Sequence, residues 1–251
     1  IAILAGIVQG VVEWLPVSSQ GNLSLVLTLV GTDPAVAVQL ALFLQLGTTL
    51  SAATYYRAEI ATILKTLPEW RPTKAYDADH AIATYVVVAS LFTGLVGIPL
   101  YVLAVDLVSD LTGGVFIAVI GVLLVITGLL QRASDSVSMG GREAPSLVDS
   151  ILVGSAQGFA ILPGISRSGV TASALLFRSY DPPTAFRLSF LLSIPASVGA
   201  AALTVAGAGG LPGIAPVPAA VALGVSGVVG YLTIDALMRV VERVPFATVC
   251  F

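Results

Sequence analysis

Residues 162–171, which read Leu-Pro-Gly-Ile-Ser-Arg-Ser-Gly-Val-Thr, limit most tightly what this chain can fold into. They lie between two apolar segments, 151–161 and 172–177, each too short to cross a bilayer alone. A crossing takes roughly 20 apolar residues, and runs of about 10 to 14 read as re-entrant or interfacial instead. The spacing therefore predicts that Arg167, with the hydroxyls of Ser166, Ser168 and Thr171, is delivered to the middle of a membrane. Backbone broken at that depth is tolerated only where protein buries it or water lines it. An ionisable residue there is a functional-site hypothesis by default.

Composition supports a membrane setting. The 251 residues are 57% hydrophobic and 10% charged, with a mean hydropathy of +1.00, whereas soluble domains carry about 25% charged residues. An all-α integral membrane protein forming one domain over residues 1–251 is expected. The net charge of -3 says little about partners, because charge placement matters more than the sum. Cys250 is the only cysteine, which excludes an intrachain disulfide. No cleavable signal is visible; Ile1 starts inside an apolar run, so a few residues are expected to precede it.

Taken in order, residues 1–15 are apolar except for Gln9 and Glu13. Pro16-Val-Ser-Ser-Gln-Gly-Asn22 then breaks the run before a second short one, 23–30. Spans follow at about 34–56 (extending to 67), 80–104 and 113–131, with polar loops at 68–79 and 132–146. After the Arg167 hairpin come spans at about 184–206 and 217–240, joined by a Gly/Pro-rich link, 207–218. Residues 244–251 read as the start of a further span.

The two broken segments resemble each other. Gly6, Gln9 and Gly10 are echoed by Gly154, Gln157 and Gly158, and Leu15-Pro16 by Leu162-Pro163, offset by one residue. Ser18-Ser-Gln-Gly21 parallels Ser166-Arg-Ser-Gly169. This predicts an inverted-topology repeat in which each half is a re-entrant helix hairpin plus transmembrane helices. The first repeat is 1–131, with hairpin 1–31 and three spans. The second is 147–251, with hairpin 147–178, two spans and the start of a third. Paired interrupted segments of this kind point to a midplane site. Alternating the spans puts every lysine and arginine except Arg167 on one side, which the positive-inside rule makes cytoplasmic.

Gln9 and Glu13 share one helix face at i and i+4. A carboxylate facing Arg167 and water is tolerable in hydrocarbon where a lone one is not; the pair reads either as a lock between the hairpins or as part of a site. Ser18, Ser19 and Asn22 open the second half-helix of hairpin one, as Ser166, Ser168 and Thr171 do in hairpin two. Such hydroxyls serve as helix caps or as anion ligands beside unpaired N–H groups. Arg167 favours the anion site, because its planar fork matches phosphate oxygens. Gln45 and Gln157 read as interhelical hydrogen bonds or as reaching the centre. His80, the only histidine, is expected at a surface or interface, which removes mechanisms needing a histidine nucleophile or paired histidine metal ligands. Asp33, Asp106 and Asp110 are expected in outer loops, and Asp235 is expected to pair with Arg239.

These residues resemble the undecaprenyl-diphosphate phosphatase family of the bacitracin-resistance type. Its signatures stand here as Gln9-Gly-Val-Val-Glu13-Trp-Leu-Pro16-Val-Ser18-Ser19-Gln-Gly21-Asn22 and Pro163-Gly-Ile-Ser166-Arg167-Ser168-Gly-Val-Thr171. The resemblance covers nearly the whole chain. It implies removal of the terminal phosphate of a polyprenyl diphosphate, recycling the lipid carrier of cell-surface glycans, with a divalent cation (Mg or Ca). The site would open to the outer face of the plasma membrane. The partners implied are the lipid and the membrane, a homodimer as candidate assembly, and no nucleic acid.

By the same resemblance Glu13 would activate the nucleophile or hold the metal. Arg167 would bind the diphosphate, with Ser19 and Ser166 in the catalytic set. Gln9, Ser18, Asn22, Gln45, Gln157, Ser168 and Thr171 would line the substrate site. A serine hydroxyl and a water both fit as nucleophile. Two positions depart from the pattern: Gln9 stands where many members carry Glu, and Asn22 where many carry His. Asn cannot transfer protons, so acid–base work falls on Glu13 or water. The alternative reading is a transporter or flippase for a polyprenyl phosphate or another anion, since opposed re-entrant hairpins are also transporter architecture.

Overall fold

The computed structural model describes residues 2–110, 113–135, 141–142, 144–208 and 215–241. The helices are α1 (Ala2–Val12), α2 (Ser19–Leu29), α3 (Pro34–Tyr55), α4 (Arg57–Thr66), α5 (Ala81–Asp110), α6 (Gly113–Asp135), α7 (Leu147–Gly158), α8 (Arg167–Phe177), α9 (Pro182–Ala208) and α10 (Pro216–Val241). The segment 244–251, expected to begin a further span, lies outside the described residues.

Helices α3, α5, α6, α9 and α10 are long and apolar enough to cross a membrane, and they fall on the spans expected from the sequence. Leu91, Leu95, Val125, Leu129, Val228 and Leu232 are exposed on their outer faces, as a lipid-facing surface requires. Helices α1, α2 and α8 have 11 residues each and α7 has 12. At about 1.5 Å per residue, each covers about half of a hydrocarbon core of about 30 Å.

The echo between the two short segments reappears in their packing. A Cβ added to Gly6 would stand 2.5 Å from the Ala222 carbonyl oxygen, and one on Gly10 2.8 Å from Val229 Cβ, so α1 lies directly on α10. A Cβ on Gly154 would stand 2.7 Å from Ala89 Cα, and one on Gly158 2.6 Å from Val96 Cβ, so α7 lies in the same way on α5. Small residues permit this backbone approach where lipid supplies no hydrophobic drive between helices.

The segments rich in basic residues meet at one end of the bundle. Arg187 donates to Glu59 at 2.8 Å through Nε, and Tyr76 and Ser150 hydroxyls are 3.0 Å apart. Arg178, the C-cap of α8, donates to Asp149 in the first turn of α7 at 2.6 Å, so the arms of the second broken segment end side by side. Asp149 also accepts from Tyr180 at 3.0 Å and from the Ser146 backbone at 2.9 Å, and Arg142 is 3.4 Å away.

Three expectations are corrected. His80 is buried, 7% exposed, and neither ring nitrogen has a hydrogen-bond partner among the described residues. The loop folds back over the first turn of α5, where Trp70 donates to Thr84 at 2.9 Å and Thr84 to the Ala75 carbonyl. Asp106 and Asp110 belong to helix α5, which outlasts the apolar run that marked the expected span. Helix α6 likewise runs to Asp135, past the expected loop start at 132. Asp33 is exposed as expected, and its carboxylate caps α3 by accepting from the Ala35 and Val36 N–H groups. Asp235 pairs with Arg239 at 2.6 Å, as its spacing predicts.

Burial alone would raise the Asp149 carboxyl pKa, but hydrogen bonds from Arg178, Ser146 and Tyr180 outweigh it and hold the group below its ordinary 3.8. The carboxylate therefore contributes stability in full above that ordinary value and loses it as pH falls through the lowered one. Asp149→Asn is expected to cost about 1–3 kcal/mol at neutral pH. Thermal unfolding in detergent from about pH 7 to about pH 3 should show variant and wild type converging on acidification.

Candidate functional site

Two chain breaks face each other. Helix α1 stops at Val12, three residues before the Leu15-Pro16 pair, and α2 starts at Ser19. Pro16 has no N–H to continue a helix, and Ser18 caps α2 by accepting from the Gly21 N–H at 3.0 Å. In the second segment a short 3-10 turn over Phe159–Ile161 leads to Pro163-Gly164. Gly164 has φ +105°, a left-handed conformation that favours glycine, and Ser166 caps α8 by accepting from the Gly169 N–H at 3.1 Å. The two breaks satisfy one another: Ser168 donates to the Leu15 carbonyl at 2.9 Å, and Gln20 to the Ile161 carbonyl at 3.4 Å.

Between them sits a buried ion pair. Arg167 Nη2 donates to Glu13 Oε1 across 154 residues of sequence, with side-chain exposures of 12% and 2%. The other oxygen of Glu13 accepts from Ser19 Oγ at 2.6 Å and from Gln9 Nε2 at 2.6 Å. The carboxylate is thus held from three sides. Arg167 is not: its Nε and Nη1 are buried without a partner among the described residues. Buried donors of this kind are costly unless an acceptor arrives, and a guanidinium at the first position of α8, beside helix N–H groups, is suited to an anion.

A cavity of about 480 Å³ includes Arg167 in its wall, with polar Gln45, Thr93 and Gln157 and apolar residues such as Leu42 and Leu203 also lining it. A small polar recess adjoins it, lined by Glu13, Ser18, Ser19, Ser166 and Ser168; Arg167 and Gln45 border both. Gln157 makes the interhelical bond as well, donating to Thr93 at 3.1 Å, while its Oε1 has no partner among the described residues.

Glu13, Ser19 and Arg167 therefore converge as expected from the paired breaks. Ser18 and Ser166 act as caps while also lining the recess. Three expected residues stand farther back. Gln9 is fully buried behind Glu13. Asn22 turns its amide to the Ser18 carbonyl at 2.8 Å. Thr171 lies one turn into α8, bonded to the Arg167 carbonyl at 2.8 Å and to Ser189 Oγ at 2.6 Å. Sequence reading missed Gln131, which donates to the Pro16 carbonyl from α6, and Trp14, whose indole donates to the Gly230 carbonyl at 2.8 Å. The one signal for Gln131 in the sequence is a lone amide at the end of an apolar span.

Residues 2–251 match the family model described as Bacitracin resistance protein BacA. The chain belongs to that family. It is 51% identical over 251 residues to the undecaprenyl-diphosphatase of Haloarcula marismortui, covering all of this chain and 92% of that one. It is 40% identical over 254 residues to the undecaprenyl-diphosphatase of Methanococcoides burtonii (99% and 93% covered). With that of Methanopyrus kandleri the identity is 36% over 251 residues (99% and 91% covered).

The facing of the two breaks depends on Gly21, where an added Cβ would stand 2.8 Å from the Gly164 nitrogen and 2.9 Å from its Cα. Both neighbours are backbone and cannot rotate aside. Gly21→Ala is expected to cost about 1–3 kcal/mol by overpacking, read as a lowered midpoint of thermal unfolding in detergent.

Proposed function

We propose that this chain is an undecaprenyl-diphosphatase, hydrolysing undecaprenyl diphosphate to the monophosphate and inorganic phosphate and so recycling the lipid carrier. The observation that carries the reading is Arg167, with two buried, unpartnered nitrogens beside a carboxylate–hydroxyl pair. The relatives' names and the family support it. The diphosphate meets Arg167 and the N-terminus of α8, and the first prenyl units extend into the apolar part of the adjoining cavity. The bond between the terminal phosphorus and the bridging oxygen breaks. Arg167 stabilises charge on the transferring phosphoryl group, more strongly in the transition state than in bound substrate. Glu13 takes the proton of the hydroxyl that bonds to the terminal phosphorus, either a water, which gives phosphate directly, or Ser19 Oγ, already donating to Glu13 at 2.6 Å. In the second case a water then hydrolyses the phosphoserine. In both cases the monophosphate leaves with the bridging oxygen.

Among the described residues no cluster of three or more His, Cys, Asp or Glu side chains could hold a metal ion. In this reading Glu13 is the residue that would hold a Mg or Ca ion, its carboxylate being a donor such ions accept. Bound there, such an ion would neutralise part of the diphosphate charge.

The matched breaks and the mirrored glycine packing support re-entrant hairpins in an inverted repeat, one half 1–131 and the other 147–251. The meeting of residues 57–79, 142–150 and 178–187 at one end supports a cytoplasmic side there and a site open to the outer face of the plasma membrane. The same opposed breaks favour a second reading, a carrier of the phosphorylated lipid.

Phosphate release from polyprenyl diphosphate by purified protein, with and without divalent cation, separates the two. Wild type is expected to turn over. Arg167→Lys keeps the charge but loses the planar fork and should fall by about a hundredfold. Glu13→Gln should abolish turnover while retaining much of the lipid affinity. Wild-type protein that binds the lipid and never releases phosphate would make it a carrier.

Gly94 and Gly199 line the cavity, and an added Cβ meets nothing closer than 3.8 Å at the first and nothing within 4 Å at the second. Gly94→Leu or Gly199→Leu should therefore raise KM for long-chain substrate by about tenfold or more while sparing a short-chain diphosphate. Equal KM changes for both substrates would remove the prenyl chain from this cavity.

A further inference from the structure

The turn between Glu13 and Ser19 has to be held from outside, because its Leu15 and Pro16 carbonyls lie beyond the end of α1 and need donors from elsewhere. Ser168 holds Leu15, and Gln131 Nε2 donates to the next carbonyl, Pro16. Gln131 comes from α6, a helix belonging to neither broken segment, and is 4% exposed. Its amide also lies on the first turn of α8, where a Cβ added to Gly169 would collide with it. That turn is capped by Ser166 and carries Arg167. One side-chain amide therefore touches both breaks at once, a turn away from each charged group of the site.

We propose that Gln131 is a positioning residue: its amide sets the 14–18 turn against the start of α8 and thereby the approach of Glu13 and Ser19 to Arg167. It acts through these residues and does not touch substrate. The kinetic consequence rests on the phosphatase reading; the structural one does not. A site of this kind needs its groups held within about 0.5 Å, and a misplacement of about 1 Å costs up to about a hundredfold in rate.

A purely structural role for α6 has its own marker. Ser134, one turn further on, joins α6 to α8 through Ser173 Oγ at 3.1 Å without reaching either break. Trp14 reports on the turn directly, with its ring edge on Phe190 at 5.2 Å and its indole on Gly230. The chain has two tryptophans, so Trp70→Phe leaves Trp14 as the only tryptophan, excited selectively at long wavelength.

In that background, Gln131→Met keeps the size and removes the donor. Trp14 emission should shift to the red and be quenched more readily by acrylamide. Turnover number for phosphate release should fall by about tenfold or more with KM changed less than about threefold. Ser134→Ala should lower Tm and leave both readouts unchanged. Gln131→Asn withdraws the amide by one methylene, should move both readouts in the same direction, and carries the test if Gln131→Met does not fold. Unchanged Trp14 emission in a folded Gln131 variant, or an equal loss of turnover in Ser134→Ala, overturns the proposal. Should wild type release no phosphate, the phosphatase reading fails, and Trp14 emission alone decides the role of Gln131.

Discussion

A helix that breaks inside an apolar surrounding must find partners in protein for every freed N–H and C=O group. Here each break finds them largely in the other. Ser168 reaches Leu15, Gln20 reaches Ile161, and the backbones touch where Gly21 meets Gly164. The short helices, the capping serines and the left-handed glycine all serve this mutual completion. Either break alone would leave buried carbonyls unsatisfied, which is costly.

The ion pair follows the same logic with charge. A carboxylate and a guanidinium taken out of water need geometry and extra hydrogen bonds to be tolerated. Glu13 has these in Gln9 and Ser19, whereas Arg167 keeps two nitrogens in reserve. This imbalance separates a site from a lock. A lock would satisfy both partners. In the proposed function an arriving diphosphate supplies the missing acceptors, and the apolar cavity alongside takes its hydrophobic chain.

Much of this was legible in the sequence, because it rests on segment length. Runs too short to cross a bilayer, each stopped by Leu-Pro and reopened by serines, placed Glu13, Ser19 and Arg167 together before any contact was known. What stayed hidden depends on contacts between distant segments. Gln131 looked like the last residue of a span beside Arg132, and only the arrival of Pro16 from 115 residues away gives it a task. His80 looked peripheral because the fold-back of the loop through Trp70 and Thr84 has no local signal. Asp149 gathers Arg178 and Tyr180 from 29 and 31 residues downstream, a spacing that no periodicity announces. Capping and ligand binding call for the same serines in the same places, and Ser18 and Ser166 perform the first while bordering the site of the second.

The seating of α1 on α10 through Gly6 and Gly10 also sets an order of assembly. Chains are made from the N-terminus, and segments made early ordinarily fold early. Helix α1 cannot reach its final seat then, because its seat begins at Pro216 and is synthesised after helices α2 to α9. Helix α1 is thus made before its seat exists, and until α10 arrives its glycine face is turned to lipid or to a temporary neighbour. Helix α7 finds α5 already in place. The two broken segments, so alike in sequence, therefore mature at different times, and Arg167 is present in the membrane before Glu13 is locked against it.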